Sequence, residues 1–360
     1  MKITELKVTV VKQELRKPFW NSIITTRSKG QSRLSICTDD GIEGTTLCSG
    51  GVCRNLGTLR EKLIGEDPMR IAHLWQKLYM GGTRKPVAKG EFIPVISAAD
   101  NALWDLKGKV LGQPVWKLLG GVQDRLWAYA AGGYYEEGKG IRELCEEMET
   151  YVSQGFTAVK MKVGWPGAGL REDAERVRAV RGAIGEDVAL MVDANNAWDA
   201  HTAIRFGRMM EDCDPYRYEE PVQADDLDGS SRVADALDVP ISSGENEFTR
   251  WGFRDLIQRG GVAIVQADPN TCGGISEWMK IAAMASAHHL PMSPHGQGML
   301  GSVVVAAVEN GLVVENYLRN FSTDIMAGPE FKDGYVIMGE SPGLGIEWNE
   351  ELIKREGETF

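Results

Sequence analysis

The sequence has no apolar run approaching the ~20 residues that a membrane span needs. It has no CxxC pair and no cysteine–histidine cluster at zinc spacing. It has no basic stripe, and its formal net charge is −11 with an isoelectric point near 5.1. Nucleic acid is therefore excluded as a natural partner, because phosphate binding needs clustered Lys and Arg. No GxGxxG follows an early strand, so a doubly wound dinucleotide sheet lacks support. The N-terminal MKITELKVTVVKQEL alternates apolar and polar residues and lacks the apolar centre of a signal peptide. Six cysteines, at 37, 48, 53, 145, 213 and 272, read as reduced and mostly buried thiols. Together these absences lead us to expect a cytoplasmic protein with no membrane partner.

What is present is an ordinary globular mixture, 43% hydrophobic and 25% charged over 360 residues, enough for one large core or two domains. Residues 3–11 and 31–39 read as strands, with the charged segment RKPFWNSIITTRSKG (16–30) as a loop between them. DDGIEG signals a hairpin into a third strand. Helical periodicity follows over 55–64, 70–79 and about 95–110, so a small α+β unit ends near residue 120. Beyond it, strand candidates at 127–131, 157–163, 188–193, 215–219, 239–243, 262–267, 290–293 and 311–315 alternate with helical patterns. Eight strands with seven intervening helices predict an α/β barrel. The tail holds one more strand, YVIM, and the turn ESPGLG.

In a parallel barrel, catalytic groups gather at the C-terminal ends of the strands. Here those ends carry, in order, Lys160 and Lys162, then Asp193, Glu219, Glu245, Asp268, His295 and Glu315. The two lysines lie two apart in TAVKMKV, so a strand points both to one face. Asp193, Glu219 and Glu245 are spaced by one βα unit each. A single strand-end acid is as readily a helix cap or an arginine partner. Three together repel unless protonated or bound to a hard cation, and Mg²⁺ with its preference for oxygen ligands fits. Lys162 and His295 then flank the pocket, two bases suited to moving protons on opposite faces of one substrate carbon. Asp268 is expected to orient the imidazole, and Lys160 to lower the Lys162 pKa as a nearby like charge. His73, His201, His288 and His289 lack such companions and read as structural.

The order KMK, D, E, E, D, H, E resembles the enolase superfamily and, within it, the mandelate racemase subgroup. The muconate-lactonizing subgroup instead carries a Lys at the end of strand six, where this chain has Asp268. The resemblance spans nearly the whole chain. It implies a modified TIM barrel, (β/α)7β, over 123–325, with an N-terminal α+β capping domain over 1–122 completed by a C-terminal segment, 326–360. It implies Mg²⁺ held by Asp193, Glu219 and Glu245. It makes Lys162 one acid/base catalyst and the Asp268–His295 dyad the other, with Lys160 and Glu315 on the substrate carboxylate. The shared chemistry is abstraction of a proton α to a carboxylate, giving an enediolate. An acidic substrate needs such local positive charge to approach a chain of net charge −11.

Substrate identity should lie in loops over the barrel mouth, with Trp20, Thr25, Arg27 and Lys29 in segment 16–30, the turn around Cys48, and Trp165 and Asn195 beside the strand ends. Their mixed polar and aromatic character suits a polyhydroxylated acid. The leading expectation is dehydration of an acid sugar, an aldonate or aldarate, to a 2-keto-3-deoxy acid. Racemisation or epimerisation of a 2-hydroxy acid, cycloisomerisation of a sugar-acid lactone, and a non-catalytic binding barrel are the alternatives; the last predicts gaps in the constellation, and none is found. A homo-oligomer is expected.

Overall fold

The alternating N-terminal segment forms a strand longer than its apolar stretch. In this computed structural model, which describes residues 1–81, 89–296, 298–317, 325–327 and 329–360, β1 (Ile3–Trp20) pairs antiparallel with β2 (Thr25–Thr38). The segment expected to be a loop is thus mostly the far end of a two-stranded ribbon, turning at residues 21–24. The side chain of Lys29 lies outside the described part. β2 continues through a turn, with Gly41 at φ +78°, into β3 (Glu43–Cys48).

Three helices, α1 (Gly50–Leu63), α2 (Ile71–Met80) and α3 (Phe92–Leu111), cover this sheet. Their apolar faces meet it in one cluster that includes Leu6, Val8, Leu34 and Ile36 from the strands and Leu59, Leu74, Leu78 and Leu103 from the helices. α3 stops at Gly112, whose φ of +63° accepts a left-handed cap. A short α4 (Val115–Leu119) leads out of the cap.

The barrel begins with β4 (Arg125–Ala131), followed by a two-residue β5 (Tyr135–Glu136) that pairs with Phe19 and Trp20 of β1. Then come α5 (Ile141–Ser153), β6 (Ala158–Lys162), α6 (Leu170–Ile184), β7 (Ala189–Asp193) and α7 (Ala200–Met210). The next units are β8 (Arg217–Glu219), α8 (Leu227–Ala236), β9 (Ile241–Ser243), α9 (Thr249–Arg259), β10 (Ile264–Val265) and α10 (Ile275–Ala287). α11 (Gly298–Val305) and β11 (Val314–Tyr317) complete it. Strands β4, β6, β7, β8, β9 and β10 run parallel, and β11 closes on β4. The expected seventh strand, 290–293, is reduced to bridges from Met292 to Val265 and to Gly311. Pro291 and Pro294 flank that bridge, and neither has an N–H to offer a ladder.

The tail first returns to the barrel. β12 (Glu330–Lys332) and β13 (Tyr335–Ile337) add antiparallel to the start of β4. α12 (Glu350–Glu356) and β14 (Glu358–Thr359) then reach the cap, where β14 pairs with Thr9 and Val10. Among the described residues, no helix is long and apolar enough to cross a membrane.

Candidate active site

Strand register builds the site. Lys162 of β6 is level with Asp193 of β7, which is level with Glu219 of β8, and Glu219 with Ser242 of β9. One layer below, Lys160, Met191 and Arg217 form a second row. Since i and i+2 share a face, Lys160 with Lys162 and Arg217 with Glu219 point into the barrel together. Lys160 Nζ lies 2.8 Å from Glu219 Oε1, 2.8 Å from Glu315 Oε1 and 3.4 Å from Asp193 Oδ2. Lys162 Nζ is paired with Asp193 Oδ2. Arg217 takes the other oxygen of Glu219 at 3.0 Å and donates to Ser293 Oγ at 2.7 Å. Across the barrel, His295 Nδ1 meets Asp268 Oδ2 at 2.9 Å, and its Nε2 faces Glu245 Oε2 at 3.4 Å. The Gly296 N–H donates to Glu315 Oε2 at 2.9 Å.

These contacts set the protonation states. Burial opposes the charge on Lys160, but Glu219 and Glu315 outweigh it and hold the ammonium well above its ordinary pKa. Burial likewise pushes Glu219 upward, and Lys160 and Arg217 outweigh it to hold the carboxyl well below the usual range. Glu315, buried beside Lys160 and His295, falls to about 2. His295 is pushed down by burial but carried well above its usual pKa by Glu245 and the Asp268 hydrogen bond. Lys162 corrects an expectation. Burial does lower it, but the adjacent Asp193 raises it by more than Lys160 depresses it, so the net shift is upward. Glu220, buried near Glu245 and Asp193, is held well above the carboxylate range while accepting from Asn196 and Asn246 at 2.6 and 2.8 Å.

Above this layer opens a cavity of about 340 Å³, lined by Phe19, Asn21, Ile24, Thr26, Tyr134, Lys162, Asn195, Glu245, His295 and Tyr317. Lys162, Glu245, His295 and Asn195 therefore share one space. Lys160, Asp193, Glu219 and Glu315 lie buried beneath it. The hairpin tip is tied to the barrel, with Asn21 Nδ2 on Asn195 Oδ1 at 3.0 Å and Ser22 Oγ on the Asn195 carbonyl at 2.8 Å. Trp20 and Trp165 pack as a tilted pair with centroids 5.4 Å apart, and Trp165 packs the same way on Tyr135 at 5.5 Å, so they brace the hairpin and do not line the cavity. Arg27 is exposed and away from the lining. Sequence reasoning missed Tyr317 and Arg217. The two-residue period would have found both, since each lies two positions from a chosen carboxylate on the same strand face. Tyr134, Asn21 and Thr26 carry no such signal.

Residues 3–120 match the family model described as the mandelate racemase / muconate lactonizing enzyme N-terminal domain, and residues 143–352 match the enolase C-terminal domain-like model. The chain belongs to the mandelate racemase / muconate lactonizing enzyme family. It is 39% identical to the arabinonate dehydratase of Saccharolobus solfataricus over 80% of this chain and 78% of that one. It is 31% identical to the D-galactarolactone cycloisomerase of Agrobacterium fabrum over 98% of both. A solved lysine-to-alanine variant of L-talarate/galactarate dehydratase, holding Mg and L-glucarate, superposes with a TM-score of 0.91 at 29% identity, over all of this chain and 93% of that one.

The donor set suits the ion that this family member holds. Glu245 Oε2 is buried and accepts no hydrogen bond. Four cationic side chains, Lys160, Lys162, Arg217 and His295, face five carboxylates, Asp193, Glu219, Glu245, Asp268 and Glu315. One divalent cation reverses that balance and makes the site attractive to an anion. Among the described residues no three such side chains are already gathered into a metal shell, because Asp193 and Glu219 turn their oxygens to lysine and arginine.

Proposed function

We propose that this protein is a Mg²⁺-dependent hydro-lyase that dehydrates an acid sugar to a 2-keto-3-deoxy acid. The observation that carries this is the pair Lys162 and His295, two proton-transfer groups lining one cavity from different units of the barrel, above the carboxylate layer. Asp193, Glu219 and Glu245 are the residues that would hold Mg²⁺. Bound there, the ion supplies positive charge beside the substrate carboxylate.

The residues divide the reaction. Lys162, once its contact with Asp193 is relaxed and its ammonium has given a proton to solvent, accepts the α-proton, and the C–H electron pair goes into the enediolate. Lys160, held protonated beneath the cavity, offsets the developing charge. His295, held protonated by burial-opposing Glu245 and Asp268, gives its proton to the β-hydroxyl, which leaves as water while the carbon–carbon double bond forms. The resulting enol tautomerises to the keto acid. Among its described lining residues the cavity has no cation beyond Lys162 and His295, which favours a substrate with one carboxylate, an aldonate, over a diacid.

The test is a panel of aldonates and aldarates in D₂O with wild type, Lys162→Ala and His295→Asn. Wild type should release a 2-keto-3-deoxy acid. His295→Asn should still exchange the α-proton but make at least about 100-fold less keto acid, and Lys162→Ala should do neither. Inversion of the α-carbon by wild type without loss of water would replace the dehydratase by a racemase.

A further inference from the structure

Asp268, which orients His295, lies in a segment without regular structure. β10 ends at Val265 and α10 starts at Ile275. The first half of that segment closes on Asp268 itself. The N–H groups of Thr271 and Cys272 donate to its carbonyl at 2.9 and 2.8 Å. Asn270 donates its backbone and side-chain N–H to Oδ1 at 2.7 and 3.0 Å, leaving Oδ2 for His295. The barrel adds the Thr249 N–H on the Cys272 carbonyl and Trp278 Nε1 on the Ala267 carbonyl.

The rest is held by the cap. Ser97, Asp100, Asn101 and Trp104 follow the spacing that places residues on one face of a helix, here α3. Asn101 Nδ2 donates to the Pro269 carbonyl at 3.0 Å, and its Oδ1 accepts the Ile275 N–H at 2.9 Å. Ser97 Oγ accepts the Gly273 N–H at 2.9 Å, and Asp100 Oδ2 accepts the Ser276 N–H at 2.8 Å. Trp104 Nε1 donates to Ser276 Oγ at 2.8 Å, and Trp75 of α2 donates to the Gly273 carbonyl at 2.7 Å. The N-cap of α10 is Gly274, which has no side chain to satisfy the first N–H groups of its own helix. Asp100 and Asn101 do so from another part of the chain. A Cβ on Gly274 would stand 2.6 Å from Asp100 Cβ, and its φ is +87°, so the glycine that forfeits a self-cap is what admits α3.

Asn101 differs from its neighbours in gripping both ends of the 269–275 loop, one residue from Asp268 on one side and at the first turn of α10 on the other. We propose that Asn101 is a positioning residue for the Asp268–His295 dyad: it fixes the loop that presents Asp268, so that docking of the cap is a precondition for proton transfer at His295. The role of His295 rests on the function proposed above.

The test compares Asn101→Ala with wild type and, should that variant not fold, Asn101→Asp, which keeps the acceptor for Ile275 and loses the donor to Pro269. Three measurements are made on the full chain: deuterium uptake by peptides, Mg²⁺ affinity by calorimetry, and α-proton exchange against keto-acid release. Uptake should rise across 268–276 and 293–296 and stay unchanged across 189–193 and 217–219. Mg²⁺ affinity and KM should hold within about twofold. Keto-acid release should fall about 10- to 100-fold, the cost of a misplaced group, while α-proton exchange by Lys162 persists. Unchanged uptake around Asp268 would overturn the proposal. So would a fall in exchange, release and Mg²⁺ affinity together, which marks general loosening. A wild type inert towards every acid sugar would end the dehydratase reading alone, and the uptake measurement would still decide the role of Asn101.

Discussion

Arg217 has no exposed surface, and its guanidinium divides between Glu219 and Ser293 while lying 4.8 Å above the Tyr129 ring. With Lys160 on the opposite oxygen, Glu219 is clamped by charge from two sides. Such a residue is costly to bury and costlier to leave unpaired, so its place beneath the site is fixed by the carboxylates above it. Asp100 is the contrasting case. It is buried near Cys272, with Lys280 as the nearby cation and Glu277 as a like charge that is itself shared with Arg250, and burial pushes it up to about 7. Unfolded, the same carboxyl ionises near 3.9. Between those values the folded state keeps a proton that the unfolded state has lost, so stability falls as pH rises, and the deficit is complete above pH 7. Asp100→Asn keeps the acceptor for Ser276 and cannot ionise. Its stability relative to wild type should therefore climb between pH 5 and pH 8, by about 2.5 kcal/mol. Denaturant unfolding at both pH values checks this, and parallel pH profiles for the two proteins would refute it.

At the scale of elements, the 3.6-residue period and the short apolar runs are enough to place the barrel helices and seven of its strands, because the helices bury one regular face and the strands between them are buried on both. The seventh strand is present but shortened for a local reason: Pro291 and Pro294 have no N–H for a ladder, so the pairing shrinks to the bridges at Met292. The 16–30 segment was misjudged for a non-local one. Its charged residues hid a ribbon that is stabilised by β5, which sits more than a hundred residues later, and by Asn195. The cap's grip on the 269–276 loop was equally invisible, since Ser97, Asp100 and Asn101 read as ordinary polar positions in a helix until the barrel is placed beside them. The hairpin tip gives a prediction of its own. Replacing Asn21–Ile24 with the two-residue turn Asp-Gly preserves the Trp20–Thr25 pairing and removes the Asn21 and Ser22 donors to Asn195. Mg²⁺ affinity should be unchanged, while kcat/KM falls about tenfold or more from the opened cavity. Steady-state kinetics with calorimetry decides it, and normal kcat/KM would show that the tip does not close the site.

The molecule as a whole carries its ionic site in the barrel and its closing surfaces in the cap, and side chains of α3 cap a barrel helix. Anything that stabilises the carboxylate layer should therefore be felt by both parts. At a hundred times its dissociation constant, a ligand that binds only the folded state adds about 2.7 kcal/mol. For a chain of this size, that corresponds to a rise of about 2–4 °C in Tm. Mg²⁺ should produce that rise in wild type and almost none in Glu219→Gln, in which one carboxylate charge of the proposed shell is lost. Because Trp75 and Trp104 donate across the cap–barrel boundary, their assigned ¹⁹F signals in fluorotryptophan-labelled protein report the docking, while far-ultraviolet circular dichroism is dominated by the barrel helices. If α3 couples the two parts, both signals move to higher temperature together when Mg²⁺ is added. A barrel transition that shifts alone, leaving the tryptophan transition behind, would show that the cap rides on the barrel without being held by it. Equal shifts in wild type and Glu219→Gln would place the ion elsewhere.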